Sequence, residues 1–507
     1  MSDAATSLSL YLEDDAATAR FGEDLALALK PGDCVTLSGD LGAGKSTLAR
    51  ALIRAVADDP GLEVPSPTFT LVQVYDLRLP IAHFDLYRLG HASELDELGL
   101  EEILDGGIAL IEWPERAVDD LPAERLALAF GFEGPGRRIE ISGPAARLAR
   151  LERVLAIRRF LDDHGYAGAA RRFLIGDAST RAYERIHTVD GRSLVLMDAP
   201  RRPNGPPIRD GKPYSQLVHL AEDVAPFVAV DNLLGAQGFA VPAIHAADLE
   251  AGLLVLEDLG QEGVLDADGD PVAERYEAAV ECLAEMHGRT FDPQVTLATG
   301  HVHTVPPFDR AALTFETSLL LDWYLPWRRD GALATDSEQQ DYADIWNALY
   351  DELQGAEQGL LLRDFHSPNI IWRPQEAGIR RIGLIDFQDA LIGPLAYDVV
   401  SIVQDARVTI PSPLADRLMQ RYLALRAEQG DFDCENFLKA WHIMAAQRAC
   451  KLNGLWVRLL RRDGKPNYMK HMPRTLWYLS TALSHPALAP LRDWCAKAGI
   501  GATESTR

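Results

Sequence analysis

Two groups of residues in this chain have the types and spacing to grip a nucleoside triphosphate, by different chemistry. The first is Gly39-Asp40-Leu41-Gly42-Ala43-Gly44-Lys45-Ser46-Thr47. A phosphate needs several donors packed around it. The glycines let the backbone turn its N–H groups inward, so the cradle runs from Gly39 and Asp40 through Gly42, Ala43 and Gly44 to Thr47. The helix that follows adds the positive end of its dipole. Lys45 is expected to reach the β- and γ-phosphates, and Ser46 to hold Mg2+. The second group is Asp364, Asn369 and Asp386, within RDFHSPN and LIDFQD. Phosphoryl transfer needs a base for the acceptor hydroxyl and oxygen ligands for metal. Asp364 is expected to take the proton, and Asn369 and Asp386 to bind Mg2+. A lone D-x4-N is weak evidence; the downstream aspartate closing a strand makes it specific. Asp398 is expected to brace this loop. One domain does not use both designs, so the chain reads as two ATP-using machines.

The elements around these groups support that division. Residues 35–38 predict a strand, and 46–57 a helix with apolar residues at helical spacing, the setting a phosphate loop needs. Short apolar runs at 69–75, 81–85 and 108–112 alternate with helical stretches such as 93–103. Residues 121–146 hold two strand-like pieces split by a turn. The predicted fold class is therefore α/β, an N-terminal P-loop NTPase domain over 1–147 and a second domain over 148–507. The second opens with a helix over 149–164. Residues 173–198 predict a hairpin, and helices dominate from about 216, interrupted by strands at 253–258 and 382–387. A small β-rich lobe before a large helical lobe is a bilobal, protein-kinase-like plan.

The first domain carries Ser66-Pro67-Thr68-Phe69-Thr70, His83-Phe84-Asp85-Leu86-Tyr87-Arg88-Leu89 and Ile111-Glu112-Trp113-Pro114-Glu115-Arg116. In order and spacing, together with GDLGAGKS, these resemble the TsaE family over about residues 5–145. The resemblance implies an ATPase serving formation of threonylcarbamoyladenosine in tRNA. It would act on TsaD/TsaB-like partner proteins and reach tRNA only through them. It places Thr68 as a switch-like threonine, Asp85 and Glu112 as metal-holding and water-orienting acids, and Trp113 beside the nucleotide. Glu112 closing the strand IALIE suits a hard-oxygen metal ligand on its own account.

The second domain is similar to aminoglycoside phosphotransferase-like enzymes. Among these it resembles the AmgK family across about residues 150–485. GDASTRAYERI, LVLMDAP, LDWYLPW, LLRDFHSPNI, LIDFQDALIGPLAYD and QRACKLNGLWVRLLRRDGKPNYM carry that likeness. It implies ATP-dependent phosphorylation of the anomeric hydroxyl of N-acetylmuramate and N-acetylglucosamine, in peptidoglycan recycling. The hairpin around Ser179 would cover the phosphates, and backbone around Glu257 would meet adenine. Met197 stands where a kinase places its strand lysine, so Arg181 is the candidate replacement cation. Arg448 and Lys451 are candidates for the lactyl carboxylate of muramate. Trp323, Tyr324 and Trp327 are expected in core packing before sugar stacking. The alternative is a kinase of another small alcohol, such as an aminoglycoside or choline, with a purely regulatory nucleotide-binding N-terminal domain.

Bulk properties exclude some classes. The net charge of −25 argues against unaided binding to nucleic acid or to an anionic membrane, both of which need basic surface. The five cysteines have no CxxC spacing, which predicts free thiols in a reducing compartment. The acidic, polar N-terminus does not read as a signal peptide, and no apolar run approaches ~18 residues. A cytoplasmic protein is expected.

Overall fold

A computed structural model describes residues 7–91, 94–174, 181–201 and 205–501. It divides into two compact units, Met1–Asp198 and Ala199–Arg507.

The first unit is built on a seven-stranded sheet. In chain order its elements are β1 (Ser7–Leu12), α1 (Asp15–Ala28), β2 (Cys34–Gly39), α2 (Lys45–Ala57), β3 (Val72–Tyr75), β4 (Ile81–Asp85), α3 (Glu94–Glu97), α4 (Leu100–Gly106), β5 (Ile108–Glu112), β6 (Leu126–Glu133) and β7 (Gly136–Ser142). The strand order is β1-β7-β6-β2-β5-β4-β3. β2, β4, β5 and β6 run parallel, while β1, β3 and β7 pair antiparallel at the flanks. β4 and β5 are buried along their whole length and mostly apolar, because both faces are covered. Ile81, Ile108 and Leu110 pack with α1 and α2, whereas Ala82, Phe84, Ala109 and Ile111 pack with Leu95 and Leu100 on the other side. The predicted helix over 93–103 is broken into α3 and α4 at Gly99, whose φ is +71°.

The chain then continues through α5 (Ala145–Asp163), β8 (Ala170–Leu174), β9 (Ala182–His187) and β10 (Ser193–Asp198). The last three form an antiparallel meander, which adds β8 to the predicted hairpin. The compact unit ends at Asp198, well past residue 147, because buried ion pairs cross that point. Asp24 of α1 accepts from Arg158 of α5 at 2.8 and 3.0 Å and from Arg171 of β8 at 2.9 Å. Arg171 also forks onto Glu184 of β9 at 2.7 and 2.8 Å and donates to the Val154 carbonyl. Only 1% of Arg171 is exposed, so each of its charges must be answered inside the protein.

The second unit is mainly helical. It contains α6 (Tyr214–Leu217), α7 (Ala225–Ala236), β11 (Ile244–Asp248), β12 (Leu253–Glu257), α8 (Ala273–His287), β13 (Gln294–Thr296), β14 (Val302–Thr304) and α9 (Arg310–Leu319). A π-helical segment, Leu320–Tyr324, leads into α10 (Leu325–Arg328) and α11 (Asp336–Glu352). Four short strands follow, β15 (Gln358–Leu361), β16 (Ile370–Trp372), β17 (Ile382–Leu384) and β18 (Leu391–Pro394). The chain ends with α12 (Ala396–Val403), α13 (Ser412–Glu428), α14 (Cys434–Asp463), α15 (Met472–Ala482) and α16 (Ala489–Ala498). β15 pairs with β18 and β16 with β17, two small ladders that bracket the catalytic-loop residues 362–369. These strands are three or four residues long, too short to show a period in the sequence.

Asp24→Ala strips the carboxylate from two buried guanidinium groups. We expect it to destabilise the first unit by about 3–5 kcal/mol. Urea unfolding of the full chain followed by tryptophan fluorescence and circular dichroism measures this. A loss below about 1 kcal/mol would contradict the account of the unit boundary.

Candidate functional sites

In the first unit the phosphate loop joins β2 to α2, with positive φ at Gly39, Gly42 and Gly44. A side chain at Gly39 would strike the Phe130 carbonyl, so the close approach of β6 requires glycine there. Asp85 and Glu112 end adjacent parallel strands in direct register, and Leu37 of β2 stands opposite Glu112. The strand order thus delivers both carboxylates to the mouth of the loop. Ser46 Oγ donates to Glu112 Oε2 at 2.8 Å. Ser66 and Thr68 hydroxyls donate to Asp85 Oδ2 at 2.9 and 2.7 Å. His83 Nε2 lies 3.0 Å from Glu112 Oε1, a buried contact that orients the acid. Lys45 Nζ donates to the Gly39 and Asp40 carbonyls at 2.6 and 2.9 Å and sits 3.8 Å from the centre of the Trp113 ring. Burial lowers the Lys45 pKa, and Glu112, Glu115, Asp40 and Asp85 oppose that shift. Trp113 takes a left-handed backbone, φ 59°, immediately after Glu112 and packs on Tyr87 at 5.0 Å.

Sequence reasoning missed Arg137. It projects from β7 against Gly44, where an added Cβ would collide with its Nη1. Nη2 donates to Asp15 Oδ1 at 2.7 Å, while Nε and Nη1 are buried without a hydrogen-bond partner among the described residues. An arginine in a hairpin ~90 residues after the loop carries no local signal; only the sheet order brings it there.

In the second unit Asp364, Asn369 and Asp386 come together as expected. Asn369 Nδ2 donates to the Asp364 carbonyl at 2.9 Å and lies 3.5 Å from Asp386 Oδ2. Gln388 Nε2 donates to Asp386 Oδ1 at 3.0 Å. Asp398, fully buried, accepts from the backbone N–H groups of Leu362 and Arg363 at 2.5 and 2.9 Å, which is the bracing role the sequence suggested. Asp405 accepts likewise from Ser367 N at 2.9 Å. Burial pushes the Asp398 carboxyl up to about 7, against those two donors.

Arg448 and Lys451 on α14 are buried beside Asp364. Arg448 Nη1 lies 3.9 Å from Asp364 Oδ1 and donates to Tyr397 Oη at 3.0 Å. Lys451 Nζ pairs with Glu316 at 2.8 Å. Glu316 also pairs with Arg363 and accepts from Gln447 at 2.9 Å. Both cations bind the surroundings of the catalytic loop, Arg448 through its Nη1, while its Nε is buried without a hydrogen-bond partner among the described residues. Burial would lift the Asp364 pKa, but His366, Lys451, Arg448 and Arg363 outweigh it and hold the carboxyl at about 2. His366 is itself lowered, chiefly by burial, so the fixed cations carry this effect at neutral pH.

The remaining sequence candidates are placed as follows. Ser179 lies outside the described residues. Arg181 immediately precedes β9, and Met197 is buried in β10, 2% exposed and opposite Tyr183. Glu257 closes β12; its N–H donates to the Ala243 carbonyl at 2.8 Å and its carboxylate accepts from Ala243 N. Tyr324 is a core residue, and Trp323 packs with Phe315 and Leu319.

Both sites offer hard oxygen donors, the kind Mg2+ takes: Ser46, Asp85 and Glu112 in one, Asn369 and Asp386 in the other. No cluster of three His, Cys, Asp or Glu groups suited to metal exists among the described residues. No helix among the described residues is long and apolar enough to cross a membrane.

The fold and sites define a P-loop NTPase domain joined to a protein-kinase-like phosphotransferase. Comparison with known proteins agrees. The family model for the threonylcarbamoyl adenosine biosynthesis protein TsaE matches residues 12–139, and that for the phosphotransferase enzyme family matches residues 170–433. Over 355 residues the chain is 35% identical to the N-acetylmuramate/N-acetylglucosamine kinase of Caulobacter vibrioides, covering 68% of this chain and 96% of that protein. The corresponding kinase of Pseudomonas aeruginosa is 35% identical, with 64% and 88% covered. The tRNA threonylcarbamoyladenosine biosynthesis protein TsaE of Haemophilus influenzae is 36% identical over 142 residues, 27% of this chain and 89% of that one. The chain belongs to the phosphotransferase enzyme family, with a TsaE-family domain fused at its N-terminus. Both families use ATP with a divalent metal.

With its carboxyl held at about 2, Asp364 is ionised throughout the working range, so it contributes no acid limb between pH 5 and 8. Arg448→Met removes a cation that lowers this pKa. Even with that pKa raised by about one unit, Asp364 stays ionised above pH 5, so we expect neither protein to show an acid limb of kcat from Asp364 between pH 5 and 8. Profiles of kcat against pH for both proteins check this; an Asp364-dependent acid limb in that range in the unaltered protein would contradict a carboxylate held ionised by its neighbours.

Proposed function

We propose that the chain is a bifunctional ATP-dependent enzyme. Its C-terminal domain transfers the γ-phosphoryl group of ATP to the anomeric hydroxyl of N-acetylmuramate and N-acetylglucosamine. Its N-terminal domain is an ATPase that supports formation of threonylcarbamoyladenosine in tRNA through TsaD/TsaB-like partners. The observation that carries the first half is the convergence of Asp364 with the Asn369–Asp386 pair on a loop that Asp398 braces at Leu362 and Arg363.

In the kinase Asp364 accepts the proton of the attacking hydroxyl. An anomeric hydroxyl is more acidic than an alkyl one, so a carboxylate of low basicity suffices to guide that proton. Asn369 and Asp386 are the residues that would hold Mg2+, which when bound offsets charge on the transferred phosphoryl group. In the ATPase the loop N–H groups and Lys45 bind the phosphates, and Arg137 adds positive charge beside Gly44. Ser46 and the acids Asp85 and Glu112 are the Mg2+ side of that pocket, and Thr68, tied to Asp85, is placed to respond to the terminal phosphate. The domain boundary is proposed at 147, and a cut there would part Asp24 from Arg158 and Arg171.

Phosphorus NMR of the product from N-acetylmuramate and ATP tests the kinase reading. A sugar 1-phosphate is expected; a 6-phosphate or no product would refute it.

Two substitutions test the separation of the machines. Lys45→Ala should reduce ATP hydrolysis by the N-terminal domain at least ~100-fold and leave sugar phosphorylation within about twofold. Asp364→Asn should do the reverse. Parallel loss of both activities in either variant would defeat the two-site account.

A further inference from the structure

The motif LDWYLPW folds unusually. After α9 the helix passes into a π segment, Leu320–Tyr324, before α10. Such one-turn π insertions recur at functional sites, because they re-aim the side chains they carry. Here the segment is pressed against α14. A Cβ at Gly454 would collide with the Leu319 carbonyl, so glycine is required for the two helices to touch. The next cation along that face of α14 is Arg458.

Arg448, Lys451 and Arg458 stand at i, i+3 and i+10, and seven residues advance a helix by ~10.5 Å with little rotation. The stripe therefore starts beside Asp364 and runs away from it along the π segment. Its members differ in their partners. Arg448 serves Asp364 and Tyr397, and Lys451 serves Glu316. Arg458 is only 6% exposed, yet no carboxylate among the described residues lies within ion-pair distance. Its contacts are with Tyr214, whose ring lies 4.3 Å from the guanidinium carbon and whose side chain also hydrogen-bonds it. The neighbouring Arg462 and Asp463 bind one another at 2.7 and 3.0 Å, and Asp463 attracts Arg458 from beyond ion-pair range. Arg209, the other cation nearby, lies over Phe315 and is drawn to Asp322. A buried guanidinium without a counter-ion is costly unless an anion is bound in the working state.

The segment that carries Tyr214 is tied to the catalytic loop. Arg363 Nη1 donates to the Val218 carbonyl at 2.8 Å, and Ala221 N donates to Asp389 Oδ1 at 2.6 Å. Tyr214 in turn packs edge-on against Phe315, 5.6 Å away, in a cluster with Trp323 and Leu319. Arg458 and Tyr214 thus lie along α14 from Asp364, with ten residues, ~15 Å of helix rise, between Arg448 and Arg458.

We propose that Arg458 is the receptor for the lactyl carboxylate of N-acetylmuramate and so sets the preference between the two sugars. This rests on the kinase reading above, in which the two acceptors differ by that carboxylate. With the anomeric hydroxyl at Asp364, the 3-O-lactyl arm extends along α14 toward Arg458. Tyr214 keeps the guanidinium in place and dry, which strengthens the ion pair.

The test compares kcat/KM for N-acetylmuramate and N-acetylglucosamine in the full chain and in Arg458→Met and Arg458→Lys. We expect the muramate-to-glucosamine ratio to fall about 10- to 100-fold in Arg458→Met, the range of a charge-assisted hydrogen bond. Arg458→Lys should recover part of it, since it keeps charge but loses the planar fork. An unchanged ratio, equal loss on both sugars, or an effect confined to the KM for ATP would each overturn the assignment. If the unaltered protein phosphorylates neither sugar, the kinase reading itself falls and the assignment with it. If it phosphorylates both and the ratio does not move, only Arg458 is wrongly placed.

Discussion

A carboxylate sealed from water organises the kinase site. Glu316 has no exposed surface, and it answers Arg363 of the catalytic loop and Lys451 of α14 together. Burial alone would raise its pKa; Lys451 and Arg363 reverse that and hold it at about 2. The sign of linkage follows. Its folded pKa lies below the unfolded value, so its stabilisation is present above about pH 4.5 and drains away as pH falls toward 2. Removing either cation would leave charge stranded in the interior. Because Arg363 precedes the base directly, the pairing fixes the loop in space. The same cations then act on Asp364, so one buried network both positions the base and keeps it ionised.

Both sites also store backbone strain at the chemistry. Trp113 after Glu112, Arg363 before Asp364, and Asp386 itself all have positive φ, at 59°, 68° and 60°. Such conformations cost of order 1–3 kcal/mol each and persist only when surroundings over-determine them. Here they are held by β5 and the short helical turn after it, by Asp398, and by the β16–β17 ladder. In each case the turn re-aims a carboxylate or its neighbour toward the phosphate site. The two machines therefore reach the same end by unrelated folds: an acid at the end of a strand, placed by a sharp reversal.

The buried pairs around Asp24 and Arg171 show why a family boundary and a compact unit need not coincide. The family-model matches end at residue 139 and resume at 170. Yet α5 lies on α1, and Arg171 is answered from both sides of that gap. An ion pair ~150 residues apart in sequence leaves no local pattern, so composition and periodicity place the division earlier.

The local chemistry was legible from the chain alone. Phosphate cradles and catalytic loops are contiguous, because backbone N–H groups and a base with its metal ligand must come from one short stretch. That is why GDLGAGKS and RDFHSPN announce themselves, and why strands such as Ile81–Asp85 and Ile108–Glu112 could be bounded to the residue. Tertiary structure alone decided what answers these groups from a distance. Arg137 reaches Gly44 through sheet order, Lys451 pairs with Glu316, and Arg458 meets the ring of Tyr214. Electrostatic partnership depends on separation in space and on exclusion of water, and neither quantity exists until the chain has packed.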